Sequence, residues 1–356
     1  MRDRIRGLRA GFLYLLFGPI RRYTSRWGGR TMRKRNRHQR VRGSRSSGMF
    51  GPMRQAFEDR DPERLLAAYD ELMSGRLVTR LLVRIIELGY PVRAALAWAG
   101  RIERSIARQG LPKASRRLLQ STIGSWSVAV SPLATSTFRD GPTIFYGNHP
   151  SMLTPFLVAA QLDRDDFRSV STKYVCHLLP SFGKLSFPVE VPLIRPLSEW
   201  RIGNLRRSIV FALVALLRRQ QSPEEVKMAN RRSMREAAEC VRSGGCLIIC
   251  PDGGEWRRRD WYPGIGIIAK ALAEEGVADR VRLVPFCEVN SSNHRITATM
   301  RHGAIARMKR SWYERKPVRI VFGDPILLSQ IAPEERTVEQ IVRDLFHRYR
   351  DAFDRV

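Results

Sequence analysis

The sequence lacks any apolar run long enough to cross a bilayer as a helix, which needs about eighteen to twenty residues. Its longest run, residues 209–217, has nine apolar residues between pairs of arginines. We interpret this run first as a buried core helix and second as a helix on a membrane surface. A second short run at residues 11–20, interrupted by Gly18 and Pro19, is followed by arginines rather than by a small-residue cleavage site. It therefore predicts a basic anchor lying on a membrane, not a signal peptide.

Cysteine is also scarce, with only five residues in the chain and no CxxC pair among them. An odd number of scattered cysteines predicts neither a zinc site nor a disulfide framework, so no metal ligands are assigned. The absence of predicted disulfides suits the reducing, cytosolic side of a membrane.

Acidic residues are few: 34 Asp and Glu stand against 63 Lys and Arg, a formal net charge of +29. Residues 1–47 carry fifteen Arg or Lys and only one acid, Asp3. Such an excess implies an anionic partner. Nucleic acid is not favoured as this partner. The basic arm lacks regularly interleaved aromatic residues, and no recognisable nucleic-acid-binding domain follows it. An anionic membrane surface accounts for the same charge, at about 1 kcal/mol per basic residue.

The chain divides into four predicted regions. Residues 1–50 form a basic arm, whose second half we expect to be disordered. Residues 51–118 form a helical segment, and residues 331–356 contain a C-terminal amphipathic helix. Between them, residues 119–330 alternate strands with helices, which predicts an α/β fold with a mixed, largely parallel sheet flanked by helices.

Hydrophobic periodicity and turn residues locate the individual elements. The predicted strands are residues 143–146, 246–250, 281–288, 295–300 and 318–322. The predicted helices are residues 62–74, 77–88, 92–106, 156–162, 203–217, 231–241, 264–274 and 337–353.

Residues 144–156 (IFYGNHPSMLTPF) contain a candidate functional histidine, because a run of strand-forming residues leads directly to a histidine at a turn. His149 is of the residue type best suited to take a proton near neutral pH, and α/β proteins place such groups at strand ends. A lone histidine is more often structural, so the assignment depends on the rest of the chain.

Three later segments carry further candidate groups. An apolar run at residues 191–194 ends in Arg195, a residue type that clamps phosphate or carboxylate with two hydrogen bonds. A predicted strand is followed by Pro251, Asp252, Gly253 and Gly254, a loop in which backbone amides can approach a ligand. Residues 283–286 form a strand interrupted by proline.

In this order and spacing, the four segments resemble the glycerolipid acyltransferase superfamily, the PlsC-like lysophospholipid acyltransferases, over roughly residues 120–330. That family's pattern is Asn-His-x4-Asp, a strand ending in Arg, Phe-Pro-Glu-Gly, and a Val-Pro strand. Asn148-His149, Arg195, the turn at residues 251–254 and Val284-Pro285 correspond to these blocks.

The resemblance implies a membrane-associated enzyme of phospholipid biosynthesis, peripheral or monotopic on the cytoplasmic face. It would move a fatty acyl group from acyl-CoA or acyl-carrier protein to a lysophospholipid or other lipid hydroxyl, without a metal or redox cofactor. His149 would be the general base, oriented by Thr154 or another nearby group. The residues implied in binding substrate are Asn148, Ser151, Lys173, Arg195, Asp252, Gly253, Gly254 and Arg257.

The sequence departs from the family pattern at two blocks. Thr154 replaces the acid that would stabilise the imidazolium, and loss of such an orienting acid costs about ten-thousandfold in a comparable triad. Asp252 stands where glutamate is usual, and Gly254-Glu255 stands where Thr-Arg is usual. The alternative is therefore a catalytically impaired protein of the same fold that binds lipid or a partner.

Overall fold

A computed structural model describes residues 49–190, 217, 221–254 and 261–354, and all of them belong to one compact unit. Several predictions lie outside these residues. They are the basic arm up to residue 48 with its apolar run, the strand at residues 191–194, Arg195, most of the helix at residues 203–217, and Arg257.

The centre of the fold is an eight-stranded sheet in the order β1-β7-β6-β2-β5-β3-β4, with β8 paired to β6. Strands β6, β2, β5, β3 and β4 are mutually parallel, whereas β7 runs antiparallel to β6. The predicted α/β fold with a mixed, largely parallel sheet is confirmed. The strands are β1 Trp126–Val130, β2 Thr143–Gly147, β3 Phe167–Thr172, β4 Ser186–Val189, β5 Cys246–Ile249, β6 Arg282–Val289, β7 Val318–Phe322 and β8 Ile326–Leu327.

Helices precede the sheet, connect its strands and close the chain. The N-terminal ones are α1 Gly51–Glu58, α2 Pro62–Ser74, α3 Leu77–Gly89, α4 Val92–Gln109 and α5 Leu111–Ile123. Those that follow are α6 Thr154–Ala159, α7 Lys173–Leu178, α8 Pro180–Gly183, α9 Pro223–Arg242, α10 Gly264–Glu274, α11 Asn293–Met300, α12 Ala304–Glu314 and α13 Val338–Phe353. Short 3-10 helices occupy Pro132–Phe138 and Leu328–Gln330. Within the described residues, no helix is both long enough and apolar enough to span a bilayer.

Both faces of the sheet are covered by apolar side chains. Successive residues of a strand point to opposite faces, so Phe145 enters one apolar cluster while Ile144 enters the other. Leu119 of α5 and Trp98 of α4 belong to the first cluster, so these two helices share a core with the sheet, whereas α1, α2 and α3 pack in a third cluster. The predicted domain boundaries stay predictions.

One predicted strand is wrong: residues 295–300 belong to helix α11. The run is rich in β-branched residues, but Ser292 caps a helix by accepting a hydrogen bond from the Arg295 amide at 3.3 Å. The hydroxyls of Thr297 and Thr299 donate to carbonyls three residues earlier, so they fit the helix without unpaired groups.

Four strands were not predicted: β1, β3, β4 and β8. β3 (FRSVST) mixes polar and apolar residues without clean alternation, and β4 contains Pro188. β4 lies at the end of the sheet, where proline is tolerated because one side of the strand needs no hydrogen-bonding partner.

The parallel strands bring the candidate residues to one place. The carboxyl ends of β6, β2, β5, β3 and β4 lie along a common edge, and ligands of α/β proteins bind outside that edge. His149 follows β2, Asp252 follows β5 and Lys173 follows β3.

Gly147, at the end of β2, allows β2 and β6 to approach closely. A Cβ atom there would lie 2.0 Å from the carbonyl oxygen of Phe286 and 2.8 Å from its ring. We expect Gly147→Ala to lower the free energy of unfolding by about 3 kcal/mol, because the strands must separate to accept the methyl group. Urea denaturation followed by circular dichroism measures this change.

Gly100→Ala is the matched control for this substitution. Gly100 is buried within α4, yet a Cβ atom there would meet only a guanidinium nitrogen of Arg104 at 3.8 Å. Alanine should be neutral or stabilise the protein by up to about 1 kcal/mol through helix propensity. A Gly147→Ala protein as stable as wild type would contradict the proposed strand contact.

Candidate functional site

His149 lies in the loop that follows β2, and one nitrogen of its imidazole is enclosed by the protein. The residue is partly exposed, but its Nδ1 atom is inaccessible to solvent and has no hydrogen-bond partner among the described residues. Nε2 is therefore the nitrogen that could exchange a proton with a substrate. Burial lowers the pKa of His149, and the nearby Asp252 carboxylate only partly opposes this shift. The imidazole is thus neutral and able to act as a base near pH 7.

The turn after β5 packs against this histidine. Asp252 Oδ2 accepts a hydrogen bond from the His149 amide, and Oδ1 accepts one from the Gly254 amide, both at 3.0 Å. Gly254 adopts a φ of +80°, and a Cβ atom there would lie 3.4 Å from His149 Cδ2. One carboxylate therefore joins the loops of two neighbouring strands and fixes the backbone that carries the imidazole.

The two glycine amides predicted to bind substrate both donate within this turn. Gly253 N–H donates to the Cys250 carbonyl at 3.1 Å, and Gly254 N–H donates to Asp252 as described. In this arrangement they stabilise the turn itself. Their role toward a substrate stays a prediction.

Asn148 holds the end of β2 against β6. Its Nδ2 donates to the Glu288 carbonyl at 2.9 Å, and its Oδ1 accepts from the Glu288 amide at 2.7 Å. The side-chain amide thus continues the parallel strand pairing one step past Gly147. Both polar atoms of the Asn148 side chain are engaged with the Glu288 backbone, and its predicted role toward a substrate stays a prediction.

Glu288 is a buried carboxylate that the sequence analysis left without a role. Ser151 Oγ donates to its Oε1 at 3.2 Å, and Thr154 Oγ1 donates to its Oε2. Ser291 Oγ donates in turn to Ser151 Oγ at 2.8 Å. The predicted site residues Ser151 and Thr154 are therefore both engaged with this acid.

The sequence did contain a signal for Glu288. With a strand period of two, residue 288 shares a face with Val284 and Phe286, both fully buried. A glutamate at a core position of a strand is rare unless it is paired or functional. Its partners, however, lie more than 130 positions away in the chain and come together only in the fold.

Burial raises the pKa of Glu288 to about 7 and outweighs the hydroxyl groups of Ser291, Thr154 and Ser151, which act in the opposite direction. The Asp252 carboxylate acts in the same direction as burial, and its smaller effect is included in that value. Glu288 therefore changes charge close to neutral pH, directly behind the loop that carries His149.

Lys173 lies further along the same edge, at the start of α7. Its Nζ forms an ion pair with the buried Glu190 Oε1 at 2.9 Å. The amide of Asn230 holds the Glu190 backbone through two hydrogen bonds, at 2.7 and 3.0 Å. Arg195 and Arg257, the other predicted anion-binding residues, lie outside the described residues.

All five cysteines are free thiols, and burial is the leading cause of a raised pKa for each. Cys250, next to the Asp252 turn, has a pKa well above its usual range, raised further by Asp252 and Glu288. It remains a protonated thiol and is a poor nucleophile. Within the described part of the chain, no group of three or more His, Cys, Asp or Glu side chains is placed to hold a metal ion.

The structure thus brings most of the predicted site residues together at the ends of β2, β5 and β6, and adds Glu288. The group consists of Asn148, His149, Ser151, Thr154, Asp252, Gly253, Gly254 and Glu288. A partly exposed neutral imidazole near the Asp252 carboxylate can accept a proton from a weakly acidic group such as a hydroxyl.

No family model and no curated protein matches this chain. Among solved structures, it is similar to the crystal structure of the 1-acyl-sn-glycerophosphate (LPA) acyltransferase PlsC from Thermotoga maritima. The identity is 13% and the TM-score 0.37, over 78% of this chain and 98% of that chain. The likeness is slight, and the motif resemblance at His149 stays a prediction. The site is therefore judged on its own residues.

The raised pKa of Glu288 predicts a pH-dependent contribution to stability. The carboxyl titrates near 4.5 when unfolded and near 7 when folded, so the folded state binds its proton more tightly. This stabilisation is fully present below about pH 4.5 and is lost as the pH rises through 7. Between pH 5 and 8 the wild type should lose about 3 kcal/mol of unfolding free energy relative to Glu288→Gln.

Denaturant titrations of both proteins at pH 5, 6.5 and 8 measure this difference. Glu236→Gln, on the exposed side of α9, is the control for the loss of one carboxyl group. Parallel stability curves for wild type and Glu288→Gln across this range would show that Glu288 is not a buried, proton-binding group.

Proposed function

We propose that this protein is an acyltransferase that moves a fatty acyl group from a thioester to a lipid hydroxyl at a membrane surface. The observation that carries the proposal is the His149 imidazole. It stands at a strand end, burial favours its neutral form, its Nδ1 is enclosed, and the nearby Asp252 carboxylate accepts a hydrogen bond from the His149 amide. This is the arrangement that a general base for hydroxyl activation requires.

In the proposed reaction, His149 Nε2 takes the proton of the acceptor hydroxyl while its oxygen attacks the thioester carbonyl. The tetrahedral intermediate then collapses, the C–S bond breaks, and the thiolate receives the proton from the imidazolium. The products are an ester and a free thiol, and no electrons are exchanged. Asp252 holds the His149 backbone during this cycle through the bond at 3.0 Å.

The proposed donors are acyl-CoA or acyl-carrier protein, and the proposed acceptor is a lysophospholipid or another lipid alcohol. We assign Lys173, Arg195 and Arg257 to the anionic parts of these substrates because guanidinium and ammonium groups bind phosphate. The glycines of the 251–254 turn would face the reacting carbonyl. Thioester chemistry of this kind uses no metal or redox cofactor.

A membrane surface as partner is supported by the exposed face of α3. Leu77, Val78, Leu81, Ile85 and Leu88 are each more than half exposed, and their spacing places them on one stripe about 100° wide. The exposed Arg80 and Arg84 border this stripe. Apolar stripes with basic borders are typical of helices that lie in the interface of an anionic bilayer.

A second exposed stripe on α12 has the same chemistry. Ile305, Met308 and Trp312 are each more than half exposed, and Lys316 Nζ lies 4.9 Å from the centre of the Trp312 ring. Arg301, which precedes α12, donates to the carbonyls of Leu88 and Gly89 at 2.9 and 3.2 Å, so it joins this region to the end of α3. We therefore propose peripheral or monotopic binding to the cytoplasmic face of a membrane.

His149→Ala tests the proposed reaction. Loss of the general base should lower kcat for acyl transfer about 100- to 10,000-fold. The assay follows radiolabelled acyl groups from acyl-CoA and acyl-carrier protein to a panel of lysolipids and lipid alcohols. His302→Ala, which removes an exposed histidine elsewhere in the chain, should keep wild-type activity.

Equal activity of wild type and His149→Ala would reject His149 as the base. A wild-type protein that binds the acceptor lipids but transfers no acyl group with any donor would instead support the alternative of a catalytically impaired lipid-binding protein.

Ile85→Glu tests the proposed membrane face. Placing a negative charge in the middle of the α3 stripe should weaken binding to phosphatidylserine-containing vesicles about tenfold or more, through lost apolar burial and charge repulsion. Vesicle co-sedimentation measures the affinity. The matched control is Met228→Glu, an equally drastic change at an exposed position of α9. Equal losses in both variants would contradict a specific role for α3.

A further inference from the structure

Helices α4 and α5 carry far more positive than negative charge. Residues 92–123 include seven Arg or Lys and a single acid, Glu103. The Glu103 carboxylate accepts two hydrogen bonds from the Ser181 amide at 2.9 and 3.0 Å, so it is engaged with the start of α8. The acids of these two helices therefore leave most of the positive charge uncompensated.

Part of this charge converges on one groove, which we call the α4–α5 groove. It has a volume of about 400 Å³, within the range of small-molecule sites. Its lining consists of Arg101, Arg104, Ser105, Arg108, Gln109 and Arg117. The half-buried Ser105 and Gln109 are hydrogen-bonded to each other, so an ordered polar pair lies among the four arginines.

Most of the guanidinium groups in the groove have no partner within the protein. Arg104 forms an ion pair with Glu63 of α2 at 2.7 Å. Arg101, Arg108 and Arg117 are exposed and have neither an ion pair nor a hydrogen bond to any residue that the structure describes. Arginines three and four positions apart on a helix repel one another, so α4 gains no stability from this arrangement.

The arginine-rich composition of the chain does not explain the groove. A larger groove of about 550 Å³ lies between α9 and α10, and four glutamates line it for one arginine. Arg242, close to that groove, is paired with both Glu239 and Glu275, at 2.5 and 3.1 Å. Clustering of arginines without compensating acids is therefore a property of the α4–α5 groove and not of every concave surface.

The chemistry of the lining selects the kind of ligand. A guanidinium group binds phosphate through two parallel hydrogen bonds, and several such groups around one groove suit adjacent phosphate groups. No apolar or aromatic residue is among those that line the groove. A surface for a bilayer buries apolar side chains, and a surface for single-stranded nucleic acid stacks bases on aromatic rings. A soluble phosphate ester needs neither.

The groove has a fixed framework. Arg116, directly before Arg117, donates to the carbonyls of Ala160 and Leu162 at 2.9 and 3.4 Å, which fastens α5 to the end of α6. Two successive arginines thus have different roles. Arg116 is bound within the protein, whereas Arg117 faces the groove.

We infer that the α4–α5 groove is a binding site for a soluble ligand that carries two or more adjacent phosphate groups, held by Arg101, Arg108 and Arg117. The inference goes beyond the proposed function, because none of these residues belongs to the group around His149 or to the residues assigned to its substrates. It concerns binding alone and includes no covalent step.

Isothermal titration calorimetry of the full chain tests the site, with inorganic pyrophosphate and coenzyme A as probes. Pyrophosphate should bind about tenfold or more tightly than orthophosphate, because its second phosphate group engages further guanidinium groups. Arg101→Gln/Arg108→Gln should weaken pyrophosphate binding about tenfold or more, since hydrogen bonds to charged groups are lost. Arg117→Gln, on the other helix, should weaken it about tenfold and serves as the test if the double variant does not fold.

The matched control is Lys113→Gln/Arg139→Gln, which removes the same number of positive charges at exposed positions outside the groove. It should keep the wild-type affinity within about twofold. Circular dichroism checks that all variants are folded. Because these measurements need no acyl transfer, their outcome is independent of the proposed reaction.

Three results would overturn the inference. The first is a wild-type protein that binds neither pyrophosphate nor coenzyme A. The second is an equal loss of affinity in the groove variants and in the control, which would show only a general effect of net charge. The third is loss of binding to anionic vesicles or duplex RNA in the groove variants when pyrophosphate does not bind, which would assign the groove to a membrane or a nucleic acid.

Discussion

The close approach of β2 and β6 is the constraint on which the candidate site depends. Only a residue without a side chain fits at position 147, where the Phe286 carbonyl of the neighbouring strand occupies the space of a Cβ atom. Asn148 then extends the contact with its side-chain amide. As a result, the backbone of Glu288 on β6 is tied to the loop after β2 that carries His149.

Burial sets the charge states in this region more strongly than direct ion pairing does. It lowers the pKa of His149 and raises those of Glu288 and Cys250, so each group tends toward its neutral form. Two carboxylates, Asp252 and Glu288, accept hydrogen bonds from the loop that carries His149, but their contacts differ. Asp252 accepts backbone amides and shapes the loops, whereas Glu288 accepts hydroxyl groups inside the turn.

The sequence predicted those parts of the fold that local pattern alone decides. Helix Gly264–Glu274 and strand Val318–Phe322 have the predicted bounds, because their apolar residues follow one clear period. The strand predicted at residues 295–300 is a helix, because a serine cap outweighed the β-branched composition. Strands β3 and β4 were not predicted, because polar residues and a proline obscure their hydrophobic pattern. The sequence motif drew attention to the histidine turn but not to Glu288, since the hydrogen bond between Glu288 and Thr154 crosses more than 130 positions of the chain.

The burial of the five thiols has a practical consequence for studying this protein. Alkylating reagents attack thiolates, and the raised pKa values of the native cysteines keep that form scarce at pH 7. A cysteine introduced at a solvent-exposed position of α3 or α12 would ionise more readily and react first. Fluorescent or spin labels could then be attached selectively to the full chain without removing any native cysteine, and their depth in a bilayer could be read directly.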